Sequence, residues 1–225
     1  MKKLVNVSST YSVFGNLSQL ISKIDAVKEL LKDYDVREGQ EQLPNGLPSK
    51  TFAFHKENHA VVVRSYRLDI QFGYLDDSKS EDFLVFAEEM AEKLGQITDV
   101  KFNRVSYSDV NFAERDEEAF KNFADIFNAN NVFGTPAAEF QTRINNIVNI
   151  ENESTNAVIL MQDGFVTKRT PNTTEPREAV IFINNDINTL AQNVEARFTF
   201  QETLKLLQDF VMLGKERVNT IASKF

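Results

Sequence analysis

Along RLDIQF, Arg67 to Phe72, polar and apolar residues alternate, placing Leu68, Ile70 and Phe72 on one face of an extended chain and Arg67, Asp69 and Gln71 on the other. A strand of this kind needs a sheet with one dry face and one wet face, and the dry face needs a cover. The chain supplies that cover in amphipathic segments. Leu17, Leu20, Ile21, Ile24, Val27, Leu30, Leu31 and Tyr34 recur at helical spacing, with Asn16 and Gln19 placed as a capping box. A second helix opens at Ser80, carries Phe83, Phe86, Ala87, Met90, Ala91 and Leu94 on one side, and is expected to end at Gly95. A third has Thr199 and Glu202 as its capping box and then Leu204, Leu207, Val211, Gly214, Val218, Ile221 and Phe225 at alternating spacings of three and four.

Between these helices lie the extended segments. Asp35 to Lys50 holds two Pro and two Gly and reads as a surface loop. TFAF and AVVVRSYRLDIQFGYL flank His55-Lys56-Glu57-Asn58-His59, a hairpin with a long second strand in which Arg64 and Arg67 fall on opposite faces. A strand is expected from Val100 to Phe112, then a short helix from about Asp116 with Phe120, Phe123, Ala124 and Phe127. Thr135-Pro136 could begin one helical turn. Phe140 to Ile150 alternates, and AVILM and FVTKR bracket Gln162-Asp163-Gly164, read as a hairpin turn. INNDIN, Ile183 to Asn188, reads as the end of a buried strand closed by Asx turns. Hairpins with helices laid on one face give an α+β fold with antiparallel sheets. Asn128 to Thr135 marks a boundary between an N-terminal αβ half, 1–130, and a C-terminal half, 131–225, which repeat a loose common grammar suggestive of duplication.

Chemistry is harder to place. There is no Cys, which removes thiolate ligands, disulfides and cysteine nucleophiles. No G-x-x-x-x-G-K-[ST] or G-x-G-x-x-G sequence occurs, so nucleotide-dependent catalysis has no motif behind it. His55 and His59 would face each other across a three-residue turn, but with Glu57 they fall short of the usual ligand set and read as exposed turn residues rather than a metal site. Asp76, Asp77, Glu81 and Asp82, and Glu114, Asp116, Glu117 and Glu118, cluster at helix starts, where the helix dipole alone favours them. A net charge of −8 argues against direct nucleic-acid binding. The start of the chain is too polar for a signal peptide and no segment is apolar enough to span a bilayer, so a cytoplasmic location is expected.

Arg104-Val105-Ser106-Tyr107-Ser108-Asp109-Val110-Asn111 is similar to the R-V-G-L-R-Y-I-N strand of a sporadically distributed, functionally uncharacterised family of prokaryotic proteins. VVVRSYRLDIQF before it and IFINNDIN before the last helix match that family's order of elements. Ser108 and Asp109 replace the family's second arginine and its aromatic neighbour, so no role passes to them. The resemblance implies a two-part α+β fold, no established activity, and a setting in mobile elements or phage conflict. From the residues themselves, Arg104 is expected to pair with a nearby carboxylate and Asn111 to bond turn backbone. The reading is of a non-catalytic protein-interaction protein, without cofactor or metal, that binds a protein partner and self-associates through the stripe Leu204, Leu207, Val211, Gly214, Val218, Ile221 and Phe225. The alternative is an acidic inhibitor or decoy of a nucleic-acid-binding machine.

Overall fold

A computed structural model describes residues 4–43, 46–74, 80–115, 117–118, 121–122, 139–167, 169–170, 173–174 and 178–223. The boundary Asn128 to Thr135, the aromatic positions 120, 123 and 127, Pro136, Asp76, Asp77, Asp116 and Phe225 lie outside them. The described chain is a sheet-dominated α+β fold. Its strands are β1 (Leu4–Phe14), β2 (Asp35–Gln42), β3 (Pro48–Lys56), β4 (His59–Val63), β5 (Arg67–Gly73), β6 (Arg104–Glu114), β7 (Gln141–Ile150), β8 (Glu153–Val166), the two-residue β9 (Arg169–Thr170) and β10 (Thr173–Thr174), and β11 (Glu178–Thr189). Its helices are α1 (Ser18–Ser22), α2 (Ile24–Leu30), α3 (Ser80–Ile97) and α4 (Phe200–Ala222).

One antiparallel nine-stranded sheet runs β2-β3-β4-β5-β1-β6-β11-β8-β7, and β9 pairs with β10 apart from it. The sheet divides between β1 and β6, where Tyr11 faces Tyr107, so that β2 to β5 with β1 form one flank and β6, β11, β8 and β7 the other. In each flank the first strand is followed by a meander and then a long helix. Tyr11 and Val13, Leu68, Ile70 and Phe72, and Val105 and Tyr107 lie on the face that receives the helices. They share one core with Leu20, Val27, Phe83, Met90, Leu207 and Phe210. No described helix covers the opposite face.

Several local expectations change. The first helix is two short ones. Ser22 Oγ donates to the Gln19 carbonyl (2.7 Å), Lys23 N–H reaches both the Gln19 and Leu20 carbonyls, and Lys23 Nζ ties the break to the Ile97 carbonyl at the end of α3 (2.7 Å). Asn16 does accept from Ser18 N–H (3.1 Å), but Gln19 turns away to Thr98, so no capping box closes. Asp35 to Lys50 is no loop: β2 and the start of β3 form a hairpin, with Gly46 at φ +81° in its turn. β2 carries no apolar pattern because it is an exposed edge, where charged and polar side chains discourage further pairing. The long second strand is two strands joined at Arg64 to Arg67. The turn's carbonyls at Ser65 and Tyr66 are satisfied by Leu17 and Gly15 N–H rather than by any turn-forming residue.

Gly95 does not end α3, which continues to Ile97. Nor do Asp163 and Gly164 make a turn. β8 runs through them, and the Phe182 ring from β11 fills the space above Gly164, 2.8 Å from where a Cβ would stand. The positive φ values sit instead at Glu151 and Asn152, which link β7 to β8. INNDIN forms the last part of β11, which ends at Thr189, but it is paired on both sides and makes no strand-closing turns. The capping box of α4 forms as expected, with Thr199 and Glu202 each receiving the other's backbone N–H.

Candidate functional site

Polar residues gather on both faces of the central strands. On the helix side the centre is Asp109 of β6, 4 % exposed, at an inward position between Tyr107 and Asn111. Its Oδ1 accepts from Asn111 Nδ2 (2.8 Å) and Asn185 Nδ2 (2.9 Å), and its Oδ2 from the Tyr107 hydroxyl (2.9 Å). Ser9 Oγ extends the chain, 3.3 Å from the Tyr107 hydroxyl and 3.0 Å from that of Tyr74. Burial raises the Asp109 carboxyl above its ordinary range, and the hydrogen bonds from Asn185, Tyr107 and Asn111 offset only part of that shift. Burial likewise pushes Tyr107 up and Tyr74 to about 12. Gly214 of α4 closes the cluster, its carbonyl accepting from Asn185 Nδ2 at 3.3 Å. A buried carboxylate held only by neutral donors and roofed by a helix fixes how that helix docks.

The helix-free face holds a second cluster. In the sheet register Phe14 lies abreast of Arg67 on one side and Arg104 on the other. Both guanidinium groups lie over its ring, at 5.2 and 4.7 Å from the centroid. One row further in, Asp69, 1 % exposed, is bonded by Ser12 Oγ (2.6 Å) and paired with both Arg64 and Arg67. Arg64 also pairs with Glu41 at 3.3 Å. The expectation that Arg64 and Arg67 point to opposite faces fails because the turn between β4 and β5 swings Arg64 back toward Asp69.

Arg104 pairs with no carboxylate among the described residues. Its terminal amine donates to Asn188 Oδ1 (3.0 Å) and its Nε is buried without a partner. Asn111 bonds Asp109 and the Ile183 carbonyl, within strands and not in a turn. Beyond this rung, Ser12 faces Ser106 and Thr10 faces Ser108, a row of small hydroxyl residues at the sheet centre.

His55 and His59 do not meet. The turn has two residues, Glu57 and Asn58, so His59 pairs with Lys56 and His55 with Ala60. His59 stacks on Phe86 at 4.4 Å, and burial lowers its pKa. It lines a cleft of about 280 Å³ with Leu30, Tyr34, Glu89 and Lys93. Among the described residues no group of three His, Asp or Glu side chains could hold a metal ion. Glu81 pairs with Lys215 (2.8 Å), tying the start of α3 to α4, and Glu114, Glu117 and Glu118 are exposed.

The C-terminal stripe lies against the chain's own sheet. Leu207, Val211, Gly214 and Val218 are buried, with Leu204 half-buried against the main core and Ile221 against a smaller one formed by Ile159, Met161, Ile181 and Ile183. No described helix is long and apolar enough to cross a membrane.

No family model matches the chain, and no curated protein matches it. Among solved structures, the chain aligns with the crystal structure of the di-domain ARO/CYC StfQ from the steffimycin biosynthetic pathway, over 96 % of each chain at 7 % identity. The TM-score is 0.23, too low for the likeness to bear on fold or function.

Proposed function

We propose that this chain is a non-catalytic protein-interaction protein and that its contact surface is the helix-free face of the sheet. The observation that carries this reading is how the two sides of the molecule are used. The apolar stripe of α4 is occupied by the chain's own core, whereas the opposite face carries the half-buried Arg67-Phe14-Arg104 rung, with Thr10 and Ser108 half-buried beside it, and no described helix above them. An aromatic ring flanked by two arginines has the residue types enriched at protein-binding surfaces.

The test uses the full chain as bait in cytosol from its native source, alongside Ser108→Arg, which obstructs the face, and Met212→Glu, on the exposed outer side of α4. A protein retained by the parent and by Met212→Glu but lost with Ser108→Arg is the expected result. A protein lost only with Met212→Glu moves the contact surface to α4.

A further inference from the structure

We infer that the outer edge of β7 pairs antiparallel with the β7 of a second copy of this chain, extending the sheet across a twofold axis at Ile147. This surface is separate from the helix-free face and does not depend on it.

The two edges of the sheet are built differently. β2 carries Asp35, Arg37, Glu38 and Glu41, charges of the kind that discourage further pairing. β7 (QTRINNIVNI) has a single charge, Arg143, no Gly or Pro, and an unbroken register with β8 from Gln141 to Ile150. Among the described residues no strand pairs with its other edge. A long, regular and nearly uncharged edge is a template for another strand.

The turn after β7 fixes which residues offer that template. Glu151 and Asn152, both at positive φ, close a two-residue hairpin, so Ile150 and Glu153 exchange hydrogen bonds and the even-numbered residues of β7 bond toward β8. Arg143, Asn145, Ile147 and Asn149 therefore turn their backbone N–H and carbonyl groups outward.

The side chains point to a second copy as the occupant. Arg143 and Glu151 have no ion pair among the described residues. They lie at opposite ends of this edge, about 27 Å apart in an extended chain, too far to meet each other. With Ile147 opposite Ile147, Arg143 of each copy comes abreast of Glu151 of the other, Asn145 of Asn149, and Ile144 of Ile150. Ile147, 60 % exposed, is covered by its own counterpart. Ile144 and Ile150, already packed against the two cores, gain apolar neighbours on their open side. Moving the axis to Asn146 or Val148 would set Arg143 against Asn149 or past the end of the strand. The pairing is isologous, and its axis stands perpendicular to the sheet, so the helix-free faces of both copies lie on one side.

The chain has no Cys, so a single introduced thiol reports the register. Ile147→Cys would face its counterpart at a Cα separation of about 5.5 Å, within disulfide reach. Asn145→Cys would lie about 14 Å from its counterpart, out of reach. Light scattering of the full chain over a dilution series should show a dimer that dissociates on dilution. Mild oxidation should link Ile147→Cys about tenfold faster than Asn145→Cys. Arg143→Glu and Glu151→Arg should each weaken the dimer about tenfold, since each change meets a like charge twice across the axis, and the two changes together should restore it. All four side chains are exposed, so the variants should keep the fold, which thermal melts check. A monomer at every concentration, equal linking at positions 145 and 147, or a double charge swap that fails to restore the single losses would each overturn the inference.

Discussion

Replacing Gly214 by Ala sets two known effects against each other at one point. An alanine inside α4 should stabilise the helix by about 1 kcal/mol over glycine. Its Cβ, however, would stand 3.0 Å from Cε1 of Tyr107, 3.4 Å from Oδ2 of Asp109 and 3.6 Å from Nδ2 of Asn185. The ring cannot withdraw easily: Tyr107 is 1 % exposed, and its hydroxyl is held by Asp109 at one side and Ser9 at the other. Overpacking of this sort costs about 1–3 kcal/mol, so the expected net effect is a loss of about 1 kcal/mol. Urea denaturation should show a lower midpoint at unchanged slope. In a Tyr107→Leu background the obstruction is gone, and the same Gly214→Ala change should now stabilise. A Gly214→Ala protein as stable as its parent would refute the reasoning, because it would mean that α4 does not rest on this cluster.

Three further outcomes follow from the same contacts. The folded state of Asp109 holds its proton more tightly than the unfolded chain, so its contribution to stability is full below the ordinary carboxyl range and is lost as pH rises through the folded value. Asp109→Asn keeps the acceptor for Asn111 and Asn185 without that loss. Its stability relative to the parent should therefore grow from acid to neutral pH, and a difference independent of pH would contradict this. Thr199→Ala removes the capping box of α4 and should cost about 1 kcal/mol by thermal or urea melts. Asp69→Ala strips Ser12 and two arginines of their shared acceptor, and because those arginines can turn partly to water the cost should be about 2 kcal/mol.

What the sequence made legible was the helical periodicity and the strand parity. The burial of Leu68, Ile70 and Phe72, the course of β7 and the capping box at Thr199 all follow from local pattern. Where the expectation failed, tertiary pairing decided. β2 has no pattern of its own and exists because β3 pairs with it, and the turn at Arg64 to Arg67 contains no Gly, Pro or Asn because its carbonyls are bonded from Gly15 and Leu17. Asp163-Gly164 has the form of a turn, but the glycine serves the Phe182 ring.

The candidate sites were half visible. In VSYSDVNFA, Asp109 and Asn111 fall in phase with Val105, Tyr107 and Ala113, and in FINNDIN, Asn185 falls in phase with Ile183 and Ile187. Polar residues at core parity in two strands signal a buried network, though only the pairing of β6 with β11 shows that they share it. The rung of Arg67, Phe14 and Arg104 draws on three strands far apart in sequence and leaves no local signature.

The most direct test of the account places a photoreactive amino acid at Ser108, on the helix-free face, and separately at Met212, on the outer side of α4, and irradiates each in cytosol from the native source. A discrete adduct from position 108 and none from position 212 is the predicted result. An adduct from position 212 with none from position 108 would contradict the central claim and return the contact surface to the C-terminal helix.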